Sequence, residues 1–343
     1  MSALRVSRLD GNRAADWDRF VHEQQSGTFF HLSGWREVIE KAGGHDCIFL
    51  YVEDEHGKIR AVLPLAMMKH LLFGKRLVSL PFCVYAGILS ADGQATALLE
   101  QEVTAIARRE KVDYVELRHT APVLDWQTKD LYYRFRKEIS ADADVNMKAI
   151  PRKQRAMVRK GFKADLHWRI DEELTDFYQA YENSVRNLGT PVFARSYFRA
   201  LRETFGNSCD ILTVTHHGEV VASVMSFYFR EEVLPYYGGG KPAARQLAAN
   251  DFMYWSLMCH ASKRGARIFD YGRSKAGTGA FSFKKNWGFE PEPLAYEYLP
   301  VGKPAIPELN PLNPRYKMAI EAWKKIPLPI TRVIGPMLSR HLG

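Results

Sequence analysis

Apolar and polar positions along the chain alternate between two periods, one helical and one extended. In "AADWDRFVHEQ" (14–24) and "SGWREVIEKAGG" (33–44) apolar residues recur every three or four positions, which predicts two helices, the second capped by Ser33 and stopped at Gly43–Gly44. "CIFLYVEDEHGKIRAVLPLAMM" (47–68) then predicts two strands about a Gly57 turn, and "KRLVSLPF" and "VYAGILS" predict further short strands. "QATALLEQEVTAIARREK" (94–111) has a helical period, and "VDYVELRH" (112–119) alternates as a strand does.

The second half repeats this order. Helices are predicted over 172–189 and 195–206, two strands in "CDILTVTHHGEVVASVMSFYF", a strand in "EVLPYYGGG", a long helix ending at Gly265, and a strand in "RIFDYG". Two His-Gly turns lead into β-rich strands at matching places, so the pattern implies a duplicated α/β unit with a boundary near 140–165. The expected domains are 1–145, 146–300 and a tail, 301–343. The tail holds seven of seventeen prolines and should begin as an irregular segment. A helix is expected in "PRYKMAIEAWKKI". Another, kinked at Pro336, has Ile330, Val333, Ile334, Met337 and Leu338 at helical spacing. That stripe reads as a terminal helix docked on the domain, with peripheral contact to a membrane as the alternative.

With 343 residues, 46% of them apolar, the chain has material for two cores. The charged N-terminal stretch and the lack of a long apolar run lead us to expect a cytoplasmic protein, at most peripheral to the inner membrane. Four scattered cysteines show neither disulfide nor CxxC spacing, and no histidine pattern resembles a zinc site, so no metal is expected. The net charge of +9 is concentrated: Lys148–Lys163 holds seven basic and no acidic residues, and the stretch from Val301 holds seven basic and two acidic. Arg152, Arg155 and Arg159 fall on one helical face, suited to the phosphates of a nucleotide-linked or lipid-linked precursor or of tRNA. No DNA-binding module is evident, and DNA is not an expected partner.

The densest chemistry lies in "FDYGRSKAGTGAFSFKKNWGF" (269–289), with four glycines, six aromatic residues, three lysines and an arginine. It is no Walker loop, because Thr278 stands where lysine must follow the glycine. Six aromatics imply a core wall, and glycines let the backbone approach a ligand closely. Asp270, Arg273 and Lys284 are the candidate catalytic residues, with Phe283 beside them and Asp270 also suited to capping the turn. In "YYGGGKPAARQLAAND" a strand runs through glycines into a helix start, where Arg245 would add a full charge to the N–H groups facing a pyrophosphate. "RQLAAN" has the arginine of the GNAT coenzyme A signature, with Ala248 and Asn250 at its glycine positions.

These segments resemble the FemABX-like family. "FDYGRSKAGTGAFSFKKNWGFEP" is similar to its F-D-(F/Y)-G-R-S…G-(S/T)-G-x-(F/Y)-x-F-K-x-x-W-G signature. "SLPFCVYAGI", with Tyr85, resembles its S-x-P-(Y/F)-x-x-Y-G-G segment, and "IPRKQRAMVRKG" its basic motif. The resemblance implies two tandem GNAT-like acyltransferase domains, each a mixed, mostly antiparallel sheet flanked by helices. It implies an acyl or aminoacyl transferase acting on amino groups of cell-envelope precursors, with acyl-CoA or aminoacyl-tRNA as donor and no tightly bound cofactor. It places Lys284 near the donor ester and draws Tyr85 into substrate binding, where Phe283 and Tyr237 are also expected. The subgroup accompanying PEP-CTERM and exopolysaccharide clusters is the nearest in pattern. Ile39 stands where bridge-forming members have a nucleotide-holding lysine, and their helical arm has no counterpart, which favours a glycan acceptor over a UDP-muropeptide. The competing expectation is an inactive relative acting as a scaffold in envelope-polysaccharide assembly.

Overall fold

The computed structural model describes residues 3–70, 74–129, 131–302 and 314–342. Strand β1 (Arg5–Arg8) leads to α1 (Ala14–Glu23) and the short α2 (Trp35–Val38), which continues as one π turn, Ile39–Gly43, and stops at left-handed Gly44. The hairpin β2 (Asp46–Glu53) and β3 (Ile59–His70) precedes β4 (Gly74–Val78), β5 (Leu89–Ser90), α3 (Gly93–Arg109), β6 (Tyr114–His119), β7 (Gln127–Lys129) and β8 (Tyr132–Glu138). Next come α4 (Ala143–Ala149), α5 (Arg152–Lys163), β9 (Leu166–Asp171), α6 (Leu174–Leu188), α7 (Arg195–Phe205), β10 (Cys209–His216) and β11 (Glu219–Phe229). The chain closes with β12 (Glu232–Gly240), α8 (Ala243–Leu247), α9 (Ala249–Lys263), β13 (Ile268–Lys275), α10 (Gly279–Asn286), β14 (Pro291–Pro293), β15 (Ala295–Pro300), α11 (Pro314–Lys325) and α12 (Leu328–Ser339).

Two mixed sheets result, ordered β1-β2-β3-β4-β6-β15-β7 with β5 on β3, and β14-β8-β13-β12-β11-β10-β9. Among the registered pairs of described residues, β4–β6 and β12–β13 run parallel and the others antiparallel. The expected mixed α/β fold with a repeated order is therefore what the chain adopts. In the first unit α3 packs Leu99, Val103 and Ile106 against Leu63, Val115 and Leu117. In the second, α9 is apolar on all sides and correspondingly buried, with Phe252, Leu257 and Met258 meeting Val224 and Phe269.

The units are not the contiguous stretches 1–145 and 146–300. The first comprises Met1–Leu131, Pro293–Leu309 and Arg340–Gly343, and the second Tyr132–Glu292 and Asn310–Ser339. Strand pairing dictates this: β8, from the first stretch, bonds β13, while β15, from the end of the second, bonds β6. Two local expectations change. "VYAGILS" contributes only Leu89–Ser90 as strand, and α2 begins after Gly34 because the Ser33 N–H and hydroxyl bind Asp18 at 2.7 and 2.9 Å. The expected terminal helix is present at Leu328–Ser339 with Pro336 inside it. The proline-rich segment expected from 301 lies, over 303–313, outside the described residues.

Candidate functional site

In the second sheet the neighbouring strands β12 and β13 cease to pair part-way along. Parallel β12 and β13 are in register only at Glu232–Ile268 and Val233–Phe269, after which β12 follows β11 to Gly240 and β13 follows β8 to Lys275. Parallel strands that part at their carboxyl ends form the crevice where open α/β sheets receive ligands. At the parting β13 bulges between Asp270 and Arg273, with Gly272 at φ +64°. Asp270 Oδ1 accepts the Gly272 N–H at 2.6 Å, which fixes the bulge from below.

Lys284 fixes it from above. Thr278 caps α10 by accepting the Phe281 N–H, and the helix carries Lys284 inward while Lys285 is exposed. The Lys284 ammonium donates to the carbonyls of Tyr271 (2.7 Å), Gly272 (3.3 Å) and Arg273 (2.9 Å), so all three of its N–H groups are engaged. Its Nζ also lies 5.4 Å from the Phe135 ring centre. Asp270 is 2% exposed and Lys284 9%, and burial moves both toward neutrality. Desolvation raises the Asp270 carboxyl to about 6 against the Gly272 hydrogen bond, and lowers the Lys284 ammonium to about 7 against the pull of Asp270. Arg273, half-buried over the Tyr132 ring at 4.3 Å, completes the group.

Aromatic rings form the wall predicted for this segment. Phe283 lies 5.7 Å from Tyr254 and 6.3 Å from Trp287, and Tyr271 packs edge-on to Tyr254 at 5.0 Å. Asp251 accepts from Trp287 Nε1 at 3.0 Å and from Gln154, tying the wall to the basic helix α5. Gly161 lets α5 lie against α9, since a Cβ there would come within 2.7 Å of Phe252 Cβ. Gln154, Val158 and Gly161 make the buried face of α5. Arg152 and Arg159 are exposed and Arg155 half-buried on the other, as their spacing predicts.

Between β12 and α9 the glycines serve packing. A Cβ on Gly239 would sit 2.3 Å from Ser184 Cβ, and one on Gly240 2.7 Å from Ala244 Cβ. The position that needs glycine by conformation is occupied by Ala248, at φ +56°, so the turn keeps its left-handed residue without the glycine of the signature. Arg245 is exposed just before it. Tyr237 is buried, sharing a 2.9 Å hydrogen bond with Tyr197 and packing on Phe198, so its ring does not face solvent.

The corresponding place in the first unit is built differently. β4 and β6 are parallel through Val78–Glu116, and where they would part, residues 79–88 are fastened between them. Arg118 donates to the carbonyls of Leu80 (3.0 Å) and Cys83 (2.6 Å) and to Glu116 (2.8 Å), while its own carbonyl accepts from Ala86 and Gly87. His119 Nε2 accepts the Ile88 N–H at 2.7 Å and its Nδ1 lies 2.5 Å from Glu297, a fully buried carboxylate. His31, whose pKa burial lowers to about 4, faces the Gly87 carbonyl at 3.1 Å. Leu80 and Phe82 take left-handed φ of 58° and 66° inside this loop. Tyr85 is 3% exposed, set edge-on to Phe30, with its carbonyl bound by Thr28. Sequence reasoning did not single out Arg118, His119 or Glu297. The signal available was the charged "VELRH" alternation, whose polar side chains lie buried in the strand.

Residues 146–285 match the family model described as the acetyltransferase (GNAT) domain. No curated protein matches the chain in sequence. Among solved structures it is similar to FemX (14% identity, TM-score 0.67, covering 88% of this chain and 98% of that one). It is also similar to a tandem GNAT protein of the clavulanic acid biosynthesis pathway (11%, 0.56, 89% and 100%) and to L-PGS of Bacillus licheniformis (13%, 0.53, 94% and 96%). At these identities the likeness establishes the fold: a tandem GNAT architecture with an acetyltransferase-type domain in the second unit.

Proposed function

We propose that the chain is an N-acyltransferase whose second unit binds an activated acyl donor where β12 and β13 part. The observation that carries this reading is the pairing of that parting with two buried groups, Asp270 and Lys284, poised at about 6 and about 7. Acyl transfer to an amine needs a base to take the amine proton and positive charge near the developing oxyanion. Asp270 supplies the first. Lys284 supplies the second through its field in a dry site: its N–H groups are committed to three carbonyls, so it holds the bulge and offers charge, and Arg273 orients the donor. Left-handed Ala248 and exposed Arg245 suit the pyrophosphate of a coenzyme A thioester, and the outer face of α5 suits the phosphates of tRNA or of a nucleotide-linked or lipid-linked acceptor.

The finer reading, an acyl or aminoacyl group passed to an amino group on an envelope glycan or exopolysaccharide precursor of the PEP-CTERM-associated kind, rests on the sequence resemblance and on the likeness to FemX. A thermal-shift panel of acetyl-CoA, longer acyl-CoAs and aminoacyl-tRNA tests it. One donor should raise the melting temperature, because a ligand bound to the native state alone stabilises it. Silence across the panel would contradict an acyltransferase and favour a scaffold.

A further inference from the structure

Helix α12 carries its side chains the wrong way round for a terminal helix docked by its apolar stripe. The residues it buries are small: Thr331, Gly335 and Ser339, four apart. A Cβ on Gly335 would come within 2.9 Å of Val192 Cγ1, and Arg332 pairs with the buried Glu182 of α6, so the helix is seated by its small face and one ion pair. The large apolar residues point outward: Ile330 is 50% exposed, Val333 69%, Met337 59% and Leu338 45%. At about 100° per residue Ile330, Val333 and Met337 share the face opposite the buried one, and Leu338 lies at the edge between the two. Water alone gives no reason for four large exposed apolar side chains on a helix pressed flat against its domain.

Charge decides what covers them. Around α12 the chain carries Lys325 and Arg340, besides Lys324 and Arg332, which are paired with Glu321 and Glu182. Two copies meeting through this face would bring like charges together, whereas an anionic lipid surface would neutralise them and take the apolar stripe into its acyl boundary. No helix among the described residues is long and apolar enough to cross a membrane. We infer that α12 is an interfacial anchor that seats the protein on an anionic membrane through Ile330, Val333, Met337 and Leu338. This stands on α12 and the cations flanking it, and survives or fails independently of the acyltransferase reading.

The test is co-sedimentation of the full chain with phosphatidylcholine vesicles containing about one-third phosphatidylglycerol, beside the double variant Val333→Glu/Met337→Glu. Both positions are exposed, so an unchanged melting temperature certifies the fold of the variant. The wild type should bind, less well in high salt and weakly to phosphatidylcholine alone, and the variant should bind on the order of a hundredfold more weakly. Failure of the wild type to sediment, or equal sedimentation of the variant, would overturn the proposal. So would light scattering that shows a wild-type dimer, monomeric in the variant, without vesicle binding.

Discussion

Each unit contains one parallel strand pair that separates, and the two treat the separation in opposite ways. In the first, ten residues, 79–88, are fastened there by Arg118 and His119, with Glu297 beneath, and their amides and carbonyls find partners in the unit itself. In the second, β12 and β13 separate beside a bulge held by Asp270 and Lys284, and those two groups titrate near neutrality. The same topology thus gives a self-satisfied core in one unit and a polarised site in the other. Of two duplicated folds, the one that buries two groups titrating near neutrality is the candidate for chemistry.

The largest separation of the units should come from Lys284→Met. Three buried carbonyls lose their donors, which costs about 3 kcal/mol of the second unit's stability, and acyl transfer should fall at least about a hundredfold. Denaturant unfolding and initial rates with the donor from the thermal-shift panel measure the two. A variant with full activity would remove Lys284 from the site.

Glycine substitutions distinguish filled from open more directly. In Gly87→Ala the new Cβ would land 2.0 Å from His119 Cδ2, so the first unit should lose about 3 kcal/mol or more. At Gly272 the nearest atom to such a Cβ is Tyr236 Cε2 at 4.0 Å, and only the left-handed backbone objects, at about 1–2 kcal/mol. Equal losses in the two variants would mean that the second parting is as closely packed as the first.

The units should also respond to pH in opposite senses. Asp270 is raised from 3.8 to about 6, so the native state holds the extra proton and the second unit loses stability as pH climbs from about 4 to about 6. Lys284 is lowered from 10.5 to about 7, so stability returns as pH rises from about 7 toward 10, leaving a minimum between about 6 and 7. His31, lowered from 6.5 to about 4, makes the first unit gain stability between about 4 and 6.5. Each limb is worth on the order of 3–5 kcal/mol and is readable by hydrogen exchange in segments of each unit. Asp270→Asn should erase the acid limb of the second unit and leave that of the first.

The smallest effect is a gain. Ala248→Gly relieves a left-handed alanine and should stabilise the second unit by up to about 1 kcal/mol, without weakening donor binding.

Much of this was legible in the residues. Periodicity gave the strand–helix order, and Asp270, Arg273, Phe283 and Lys284 do converge on one bulge, because a strand, a glycine turn and a short capped helix are all local in sequence. What the sequence could not show was non-local. The exchange of β8 and β15 between sheets depends on pairing across more than a hundred residues, and neither strand carries a distinctive local pattern. The commitment of the Lys284 ammonium to three carbonyls depends on a bulge, which two-residue alternation cannot reveal. Tyr85 and Tyr237 sit in quotable motifs, yet both rings are packed inside their units. In α12 the apolar stripe was visible and its orientation was not, since Thr331, Gly335 and Ser339 look unremarkable until Val192 and Glu182 are placed against that helix.

The donor should enter the second unit's parting and leave the first unit's filled one untouched. Hydrogen exchange read by mass spectrometry, with and without the donor that raises the melting temperature, tests it most directly. New protection is expected over residues 234–248 and 270–276, with residues 79–88 unchanged. Protection of 79–88 with none at 234–248 would contradict it.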